Sequence, residues 1–187
     1  MVAGHTGVKG SWLALWLAQL GAEVSGYSKY IPTDPSHFEV SNLKGKIANN
    51  VGDITDIDCL RKVFDEFLPE IVFHLAAQPI VRDSYNDPKL TFDTNLGGTV
   101  NVLECIKSSE SVKAAVIITS DKCYENIEQN EAYKEQDRLG GKDPYSASKA
   151  CAEIAFSAYF RSFFKGQDSI YSHVRCCKSS LSFDYNG

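Results

Sequence analysis

The sequence predicts an α/β fold built on a doubly wound parallel sheet. Three observations predict it. Short apolar runs alternate with longer helical stretches along the chain. The runs Ile71–Ala76 and Ala114–Thr119 are apolar almost throughout, as strands covered on both faces are. A glycine-rich turn, Gly4 to Gly10, follows the first apolar stub and opens a helix.

In chain order, Val2-Ala3 is a strand stub. Trp12, Leu13, Leu15, Trp16, Leu17 and Leu20 make a helix apolar on most of its surface, ended by Gly21. Glu23 to Tyr27 reads as a strand, and residues 28–50 as mostly loop, with Pro32, Pro35 and Gly45. Val51 ends a short strand. Asp56 to Phe67 is helical, with Ile57, Leu60, Val63, Phe64 and Phe67 at helical spacing and Asp56 as N-cap. Ile71–Ala76 is a strand. Lys89 to Lys107 is a helix preceded by Pro88. Ala114–Thr119 is a strand, residues 125–143 a polar loop, Tyr145–Phe164 a long helix, and Ser169–Val174 a last strand. No internal repeat or linker interrupts this order.

A chain of 187 residues is one domain and a remainder. At 43% hydrophobic and 23% charged residues it has the composition of a soluble globular protein. A net charge of -5 argues against nucleic acid or an anionic membrane as partner. No apolar run approaches a bilayer span, and no secretory signal opens the chain. Cys59, Cys105, Cys123, Cys151, Cys176 and Cys177 form no CxxC pair, and the His are too scattered for a zinc site. The expectation is reduced thiols in a cytoplasmic protein with no metal.

Gly4-His5-Thr6-Gly7-Val8-Lys9-Gly10 is spaced GxxGxxG. Glycines there let the backbone turn tightly and bring a pyrophosphate to the free N–H groups of the helix. The same residues also fit a plain helix-capping turn. A chain that chooses NAD usually ends its second strand in Asp or Glu, for the ribose 2′-OH. Here Tyr27 is followed by Ser28 and Lys29, and Lys29 can meet a 2′-phosphate, so this position leaves NADP open.

Tyr145 and Lys149, four apart, share one face of the long helix. A free phenol titrates near 10 and is a poor base at neutral pH. Lowering it by about three units takes roughly 4 kcal/mol. One ammonium at about 4 Å, at an effective dielectric of about 20, supplies roughly that. The pair can therefore serve as a general base toward a hydroxyl during hydride transfer. A surface Tyr and Lys on an amphipathic helix is the alternative.

Thr119-Ser120-Asp121-Lys122 places polar residues past the carboxyl end of an apolar strand, where such sheets bind ligands. Ser120 can hydrogen-bond a substrate hydroxyl, Asp121 can act as acid, and Lys122 as base. A polar turn with Lys in solvent explains the same residues. Leu75, Ala76 and Ala77 are small enough for a dinucleotide to lie close to the backbone. His74 reads as a core histidine. Asp53 and Ile54 can contact an adenine, or be a loop acid beside a buried apolar residue.

Together these segments resemble the extended short-chain dehydrogenase/reductase superfamily, whose fold is Rossmann-like. The carrying residues are 4–17 (GHTGVKGSWLALWL), 52–56 (GDITD), 72–85 (VFHLAAQPIVRDSY), 94–104 (TNLGGTVNVLE), 119–126 (TSDKCYEN) and 139–153 (LGGKDPYSASKACAE). Within the superfamily the pattern is most similar to the 4,6-dehydratases acting on CDP-glucose; TSDKCYEN discriminates most, since relatives acting on dTDP-glucose carry Asp-Glu at Asp121-Lys122. The resemblance implies NAD, held by Gly4, Thr6, Gly7, Val8, Lys9, Gly10, Asp53, Ile54, Leu75, Ala76, Ala77, Thr119, Tyr145 and Lys149. It implies oxidation of the sugar at C4 with Tyr145 and Lys149 as base, and water loss across C5 and C6 through Asp121 and Lys122. Hydride then returns to C6. Ser120 completes the catalytic set, and a homodimer through helices 89–107 and 145–164 is implied.

Three departures accompany the resemblance. Only Met1-Val2-Ala3 precede Gly4, inside what should be the central strand, and Ala3 stands where Thr is usual. Family chains continue into a smaller substrate domain; here residues 167–187 follow neither the family nor any amphipathic period, and a frameshift or truncated frame is expected. The expected organisation is then a dinucleotide-binding unit over 1–166 and an aberrant tail, an incomplete fold lacking the substrate domain. The alternatives to dehydration are a catalytically silent remnant that still binds dinucleotide, and a related nucleotide-sugar epimerase.

Overall fold

A computed structural model describes residues 1–128, 132–164 and, by backbone alone, 173–179. In chain order the elements are β1 (Val2–Ala3), α1 (Val8–Gln19), β2 (Ser25–Ser28), α2 (His37–Val40), β3 (Ala48–Val51), α3 (Ile57–Phe67) and β4 (Ile71–His74). Then come α4 (Val81–Asn86), α5 (Pro88–Phe92), α6 (Gly98–Ser108), β5 (Ala114–Ser120), α7 (Pro144–Tyr159) and β6 (His173–Ser179). The six strands lie in the order β3-β2-β1-β4-β5-β6, and every pairing is parallel.

β1 is short but central. Val2 and Ala3 pair with Gly26 and Tyr27 on one side and with Phe73 and His74 on the other. Their side chains alternate between the two faces. Val2 joins Ala14, Val24, Phe38 and Leu43 under α1 and α2. Ala3 joins Leu60, Phe64, Val72, Leu103 and Ile117 under α3 and α6. The chain leaves β1 toward β2 on one side and reaches β4 and β5 on the other, so strand order reverses between β1 and β4. A ligand crevice at the carboxyl ends is expected at such a reversal.

Local chemistry explains the helix ends. Asp56 caps α3 by accepting from the N–H groups of Asp58 (3.1 Å) and Cys59 (3.0 Å). Leu68 closes the same helix in the left-handed region at φ 49°. Asp143 caps α7, accepting from Ser146 N at 2.9 Å, with Pro144 in the first turn.

The structure departs from expectation in four places. The helix expected over 89–107 is α5 and α6 joined by a π-helical turn, Asp93–Gly97. The Gly97-Gly98 pair allows it: a Cβ on Gly98 would stand 2.6 Å from Ile54 Cγ2, so close packing there requires glycine. The sequence does not announce α4, because it is short and Ile80 offers no capping oxygen. Ser36 caps α2 within the expected loop by accepting from Glu39 N at 3.2 Å. The last strand runs over 173–179 rather than 169–174, in register with all of β5 from Ala114↔His173 to Ser120↔Ser179; residues 169–172 lie outside the described residues. Among the described residues no helix is long and apolar enough to cross a membrane.

Candidate active site

The glycine turn is built for close approach. Gly4 has φ +92°, and a Cβ on it would lie 2.6 Å from Ala76 N, the loop that leaves β4. A Cβ on Gly10 would lie 2.0 Å from Gly4 O. Gly7 differs: its nearest neighbour would be 3.5 Å away, and it caps α1 with no side-chain hydrogen bond. The first turn of α1 holds no acidic residue, so its N–H groups and dipole suit an anion. Val8 and Lys9 are exposed there, while Thr6 is buried.

His5 and Thr6 tie this turn to β2 and β3. His5 Nε2 is 2.7 Å from Asn49 Oδ1 and its Nδ1 is 3.0 Å from Ser28 Oγ. Thr6 N donates to Ser28 Oγ (3.4 Å), and Thr6 Oγ1 donates to Tyr30 O (2.7 Å). Gly26 leaves room for the imidazole: a Cβ on it would stand 2.3 Å from His5 Cγ. Burial holds His5 below the ordinary imidazole range despite hydrogen bonds with Asn49 and Tyr27.

At the ends of β2 and β3, Lys29 Nζ pairs with Asp53 Oδ2 at 2.8 Å. Burial pushes the Asp53 carboxyl up, but hydrogen bonds from Lys29 and Thr55 outweigh it and hold the group below its usual value. Two candidate positions, read separately in the sequence, are thus one ion pair. The Ile54 side chain lies in the core against Gly98, and its carbonyl accepts from Asn101 Nδ2 at 3.0 Å. That leaves Asp53 as the polar group of the two.

The catalytic candidates meet between β5 and α7. Tyr145, Lys149 and Glu153 follow one another at single turns along α7, and all three are buried. Ser120 lies near enough to the Tyr145 phenol to lower it, while Ser120 Oγ donates to Asp121 Oδ1 at 3.1 Å and accepts from Lys122 N at 3.2 Å. Thr119 Oγ1 donates to Glu153 Oε1. Asp121 is half-buried and Lys122 exposed, both in the turn that follows β5. The structure therefore brings Ser120, Asp121 and Tyr145 together, with Ser120 bonded to Asp121 and Thr119 fastened to the helix that carries Tyr145.

The Tyr145 phenol is raised above its ordinary 10.0. Burial is the main cause, and Asp121, Asp143 and Cys123 add to it, while the Ser120 hydrogen bond works the other way. The lowering expected from Lys149 does not emerge: the net shift is upward, with burial its largest cause.

Asn95, not singled out in the sequence, is a junction. Its Oδ1 accepts from Gln78 N (2.8 Å), and its Nδ2 donates to Gln78 O (3.1 Å) and Ser148 Oγ (2.9 Å). Ser148 Oγ donates in turn to Tyr145 O at 2.7 Å. The strand-end loop carrying Leu75, Ala76 and Ala77 is thereby fastened to the catalytic helix. Tyr145 N also donates to Ser84 Oγ at 3.2 Å. His74 is fully buried, 3.1 Å from Thr99 Oγ1. That hydroxyl gives its proton to Asn95 O at 2.6 Å, so His74 Nε2 is the donor and Nδ1 a bare acceptor without a partner. Burial, and then the charge of Lys149, lower His74 to about 3. The signal for Glu153 is available in the sequence, as a third polar residue on the Tyr145–Lys149 row.

A family model described as GDP-mannose 4,6 dehydratase matches residues 1–166. A CDP-glucose 4,6-dehydratase from Salmonella typhimurium is 53% identical over 163 residues, which cover 87% of this chain and 45% of that one. UDP-glucose 4-epimerase from Thermus thermophilus, solved with NAD, superposes with TM-score 0.77 at 31% identity, over 87% of this chain and 50% of that one. A dTDP-glucose 4,6-dehydratase from Streptomyces venezuelae, 24% identical, shares the fold with TM-score 0.74 over 94% and 53% of the two chains. The chain spans about half the length of the curated relatives it matches.

Proposed function

The chain belongs to the GDP-mannose 4,6 dehydratase family, within the extended short-chain dehydrogenase/reductases, and from that premise we propose that it serves the NAD-dependent 4,6-dehydration of a nucleotide sugar. The substrate assigned is CDP-glucose and the product CDP-4-keto-6-deoxyglucose. The single observation that carries this reading is the gathering of Ser120 and Asp121 at Tyr145, on the row of Lys149, at the carboxyl end of β5, one strand from the reversal between β1 and β4. The identity of 53% to a relative named for CDP-glucose supports the choice of sugar nucleotide.

NAD, when bound, supplies a reversible acceptor for hydride. Residues 1–166 form the proposed dinucleotide unit: the amides of the glycine turn would hold the pyrophosphate, Asp53 the adenosine end, and Leu75–Ala77 the nicotinamide side. Tyr145, as phenolate, takes the proton of the C4 hydroxyl while Ser120 holds that oxygen. The Lys149 ammonium and the positive charge of a bound nicotinamide together offset the burial that raises the phenol. The C4 ketone acidifies the C5–H, whose proton goes to Lys122. Asp121, once it has taken up the proton that Tyr145 removed from the C4 hydroxyl, would protonate the C6 hydroxyl, which leaves as water. A hydride returned to C6 from the reduced cofactor, with the proton held by Lys122 going back to C5, would close a cycle with no net oxidation. Asp121 and Lys122 support elimination over epimerisation, which needs neither.

A homodimer through α6 and α7 goes with this proposal. The two helices are tied by Tyr159 OH donating to Glu104 Oε1 at 2.6 Å, and Ile154 and Phe163 remain exposed beside them. The thiols of Cys59, Cys105 and Cys151 support a cytoplasmic setting.

The test incubates the purified chain with CDP-glucose and NAD+ and follows the 4-keto-6-deoxy sugar by its absorbance in alkali. Turnover that Tyr145→Phe abolishes is the expected result. Neither turnover nor dinucleotide binding would overturn the proposal; binding without turnover would favour a silent dinucleotide-binding unit.

A further inference from the structure

Burial singles out two charged residues. Among the described residues, Lys149 is the one Lys or Arg that is buried, and Glu153 the one Asp or Glu. They stand one turn apart on α7, with Glu153 on the side of Lys149 away from Tyr145. A lone charge is expensive to take out of water, and folded proteins bury one beside a partner of opposite sign. Placement on neighbouring turns of one helix row is what such a pair requires.

Glu153 is also held from across the site. Thr119 Oγ1, at the end of β5, donates to Glu153 Oε1. A carboxylate accepts through two oxygens, so this bond fixes the group without exhausting it. The other ionisable groups on elements around α7 are engaged elsewhere or face solvent. In the turn after β5, Asp121 is bonded by Ser120, Lys122 is exposed and the Cys123 thiol is buried. Asp93 pairs with Lys89, and Glu104 with Lys107. Arg82 and Asp83 of α4 are exposed, and Asp143 caps the first turn of α7. His74, at the end of β4, is kept neutral by burial and by the charge of Lys149, which therefore reaches between α7 and β4.

We propose that Glu153 is a positioning residue: its carboxylate pairs with Lys149 and keeps that buried ammonium charged, one turn from the Tyr145 phenol. The inference rests on the reading of Tyr145 and Lys149 as the base of the proposed reaction. Without its partner, the buried ammonium gives up its proton more readily, and a neutral lysine cannot stabilise a phenolate. Isotope labelling of the lysine ε-carbons lets NMR follow Lys149 against pH in the full chain, without cofactor or sugar. Loss of one signal in Lys149→Met identifies it. Glu153→Gln keeps an acceptor for Thr119 and removes the charge, so the Lys149 midpoint should fall by about one pH unit or more. Glu153→Asp keeps the charge one methylene further back, so the midpoint should fall by less, and this variant decides alone where Gln does not fold. Where CDP-glucose is turned over, the alkaline limb of kcat should move down with the midpoint while KM holds. A midpoint that stays at the parent's value in the folded variant, or a limb that stays while the midpoint falls, would overturn the inference and leave the proposed function standing. A fallen midpoint in a chain that neither binds dinucleotide nor turns over would keep the pair and overturn the proposed function.

Discussion

Thr119 donates its hydroxyl to the Glu153 carboxylate, and both side chains are buried where the end of β5 meets α7. Glu153 lies one turn beyond Lys149 on the row that begins with Tyr145. A buried carboxylate is costly unless hydrogen-bonded and balanced by charge. Here the bond fastens the residue before Ser120 to the helix that carries the phenol, so it sets the distance on which the Ser120–Tyr145 contact depends.

Replacing either partner leaves the other buried with a lost bond. Glu153→Ala and Thr119→Val should each lower stability by about 1–3 kcal/mol. The melting temperature should drop about 2–4 °C for each kcal/mol. The double variant should cost less than the sum, by about 1 kcal/mol or more. Strict additivity in a double-mutant cycle would show that the bond contributes nothing.

The glycines should separate folding from binding. A methyl on Gly10 meets Gly4 O, so Gly10→Ala should displace the turn, costing about 1–3 kcal/mol and dinucleotide binding together. Gly7 has room for a methyl and an ordinary φ of -71°. Gly7→Ala should therefore fold with a stability change within about 0.5 kcal/mol, yet bind NAD+ more weakly, because the methyl stands at the helix end that a pyrophosphate must approach. Thermal melts beside titrations check this. Equal losses in both variants would mean that the turn serves the fold alone.

The sheet was legible because its central strands are apolar on both faces, and the glycine turn because its spacing dictates where a chain can bend. Tyr145 and Lys149 were legible as a pair at helical spacing. Four features were not. The π-helical turn at Asp93–Gly97 has no local signal, and Gly98, which follows it, packs against Ile54, a contact distant in sequence. Asn95 works through Gln78 and Ser148, again across the fold. Lys29 and Asp53 were two separate candidates until β2 and β3 paired and brought their ends together. The direction of the Tyr145 shift depends on burial, which spacing along one helix does not reveal.

His74 makes stability depend on acid. Its imidazole is lowered from 6.5 to about 3 by burial and by Lys149. The unfolded chain therefore binds a proton near pH 6.5 that the folded chain refuses until near pH 3. Stability is full above about pH 6.5 and falls through that window at up to roughly 1.4 kcal/mol per pH unit. His74→Gln keeps a donor for Thr99 and removes the titration. Between about pH 7 and pH 5 the parent should lose about 2 kcal/mol more than this variant in urea unfolding. Parallel curves would mean that His74 is reached by solvent protons in the folded state.

Asp121 has two opposed effects on the proposed chemistry, and one substitution separates them. Its carboxylate raises the Tyr145 phenol, which burial has already raised. Asp121→Asn removes that charge, so Tyr145 should ionise at lower pH than in the parent. The ultraviolet absorbance of tyrosinate reads this directly, with Tyr145→Phe in each background isolating the one phenol. The same substitution deprives the C6 hydroxyl of its acid, so elimination should slow by about 10²–10⁴-fold even where oxidation at C4 becomes easier. A cofactor left reduced on a sugar that has not lost water is the expected trace, seen as NADH absorbance that persists in the variant and not in the parent. An unchanged tyrosinate titration would place Asp121 too far from the phenol to matter, and unchanged product formation would remove it from the elimination step.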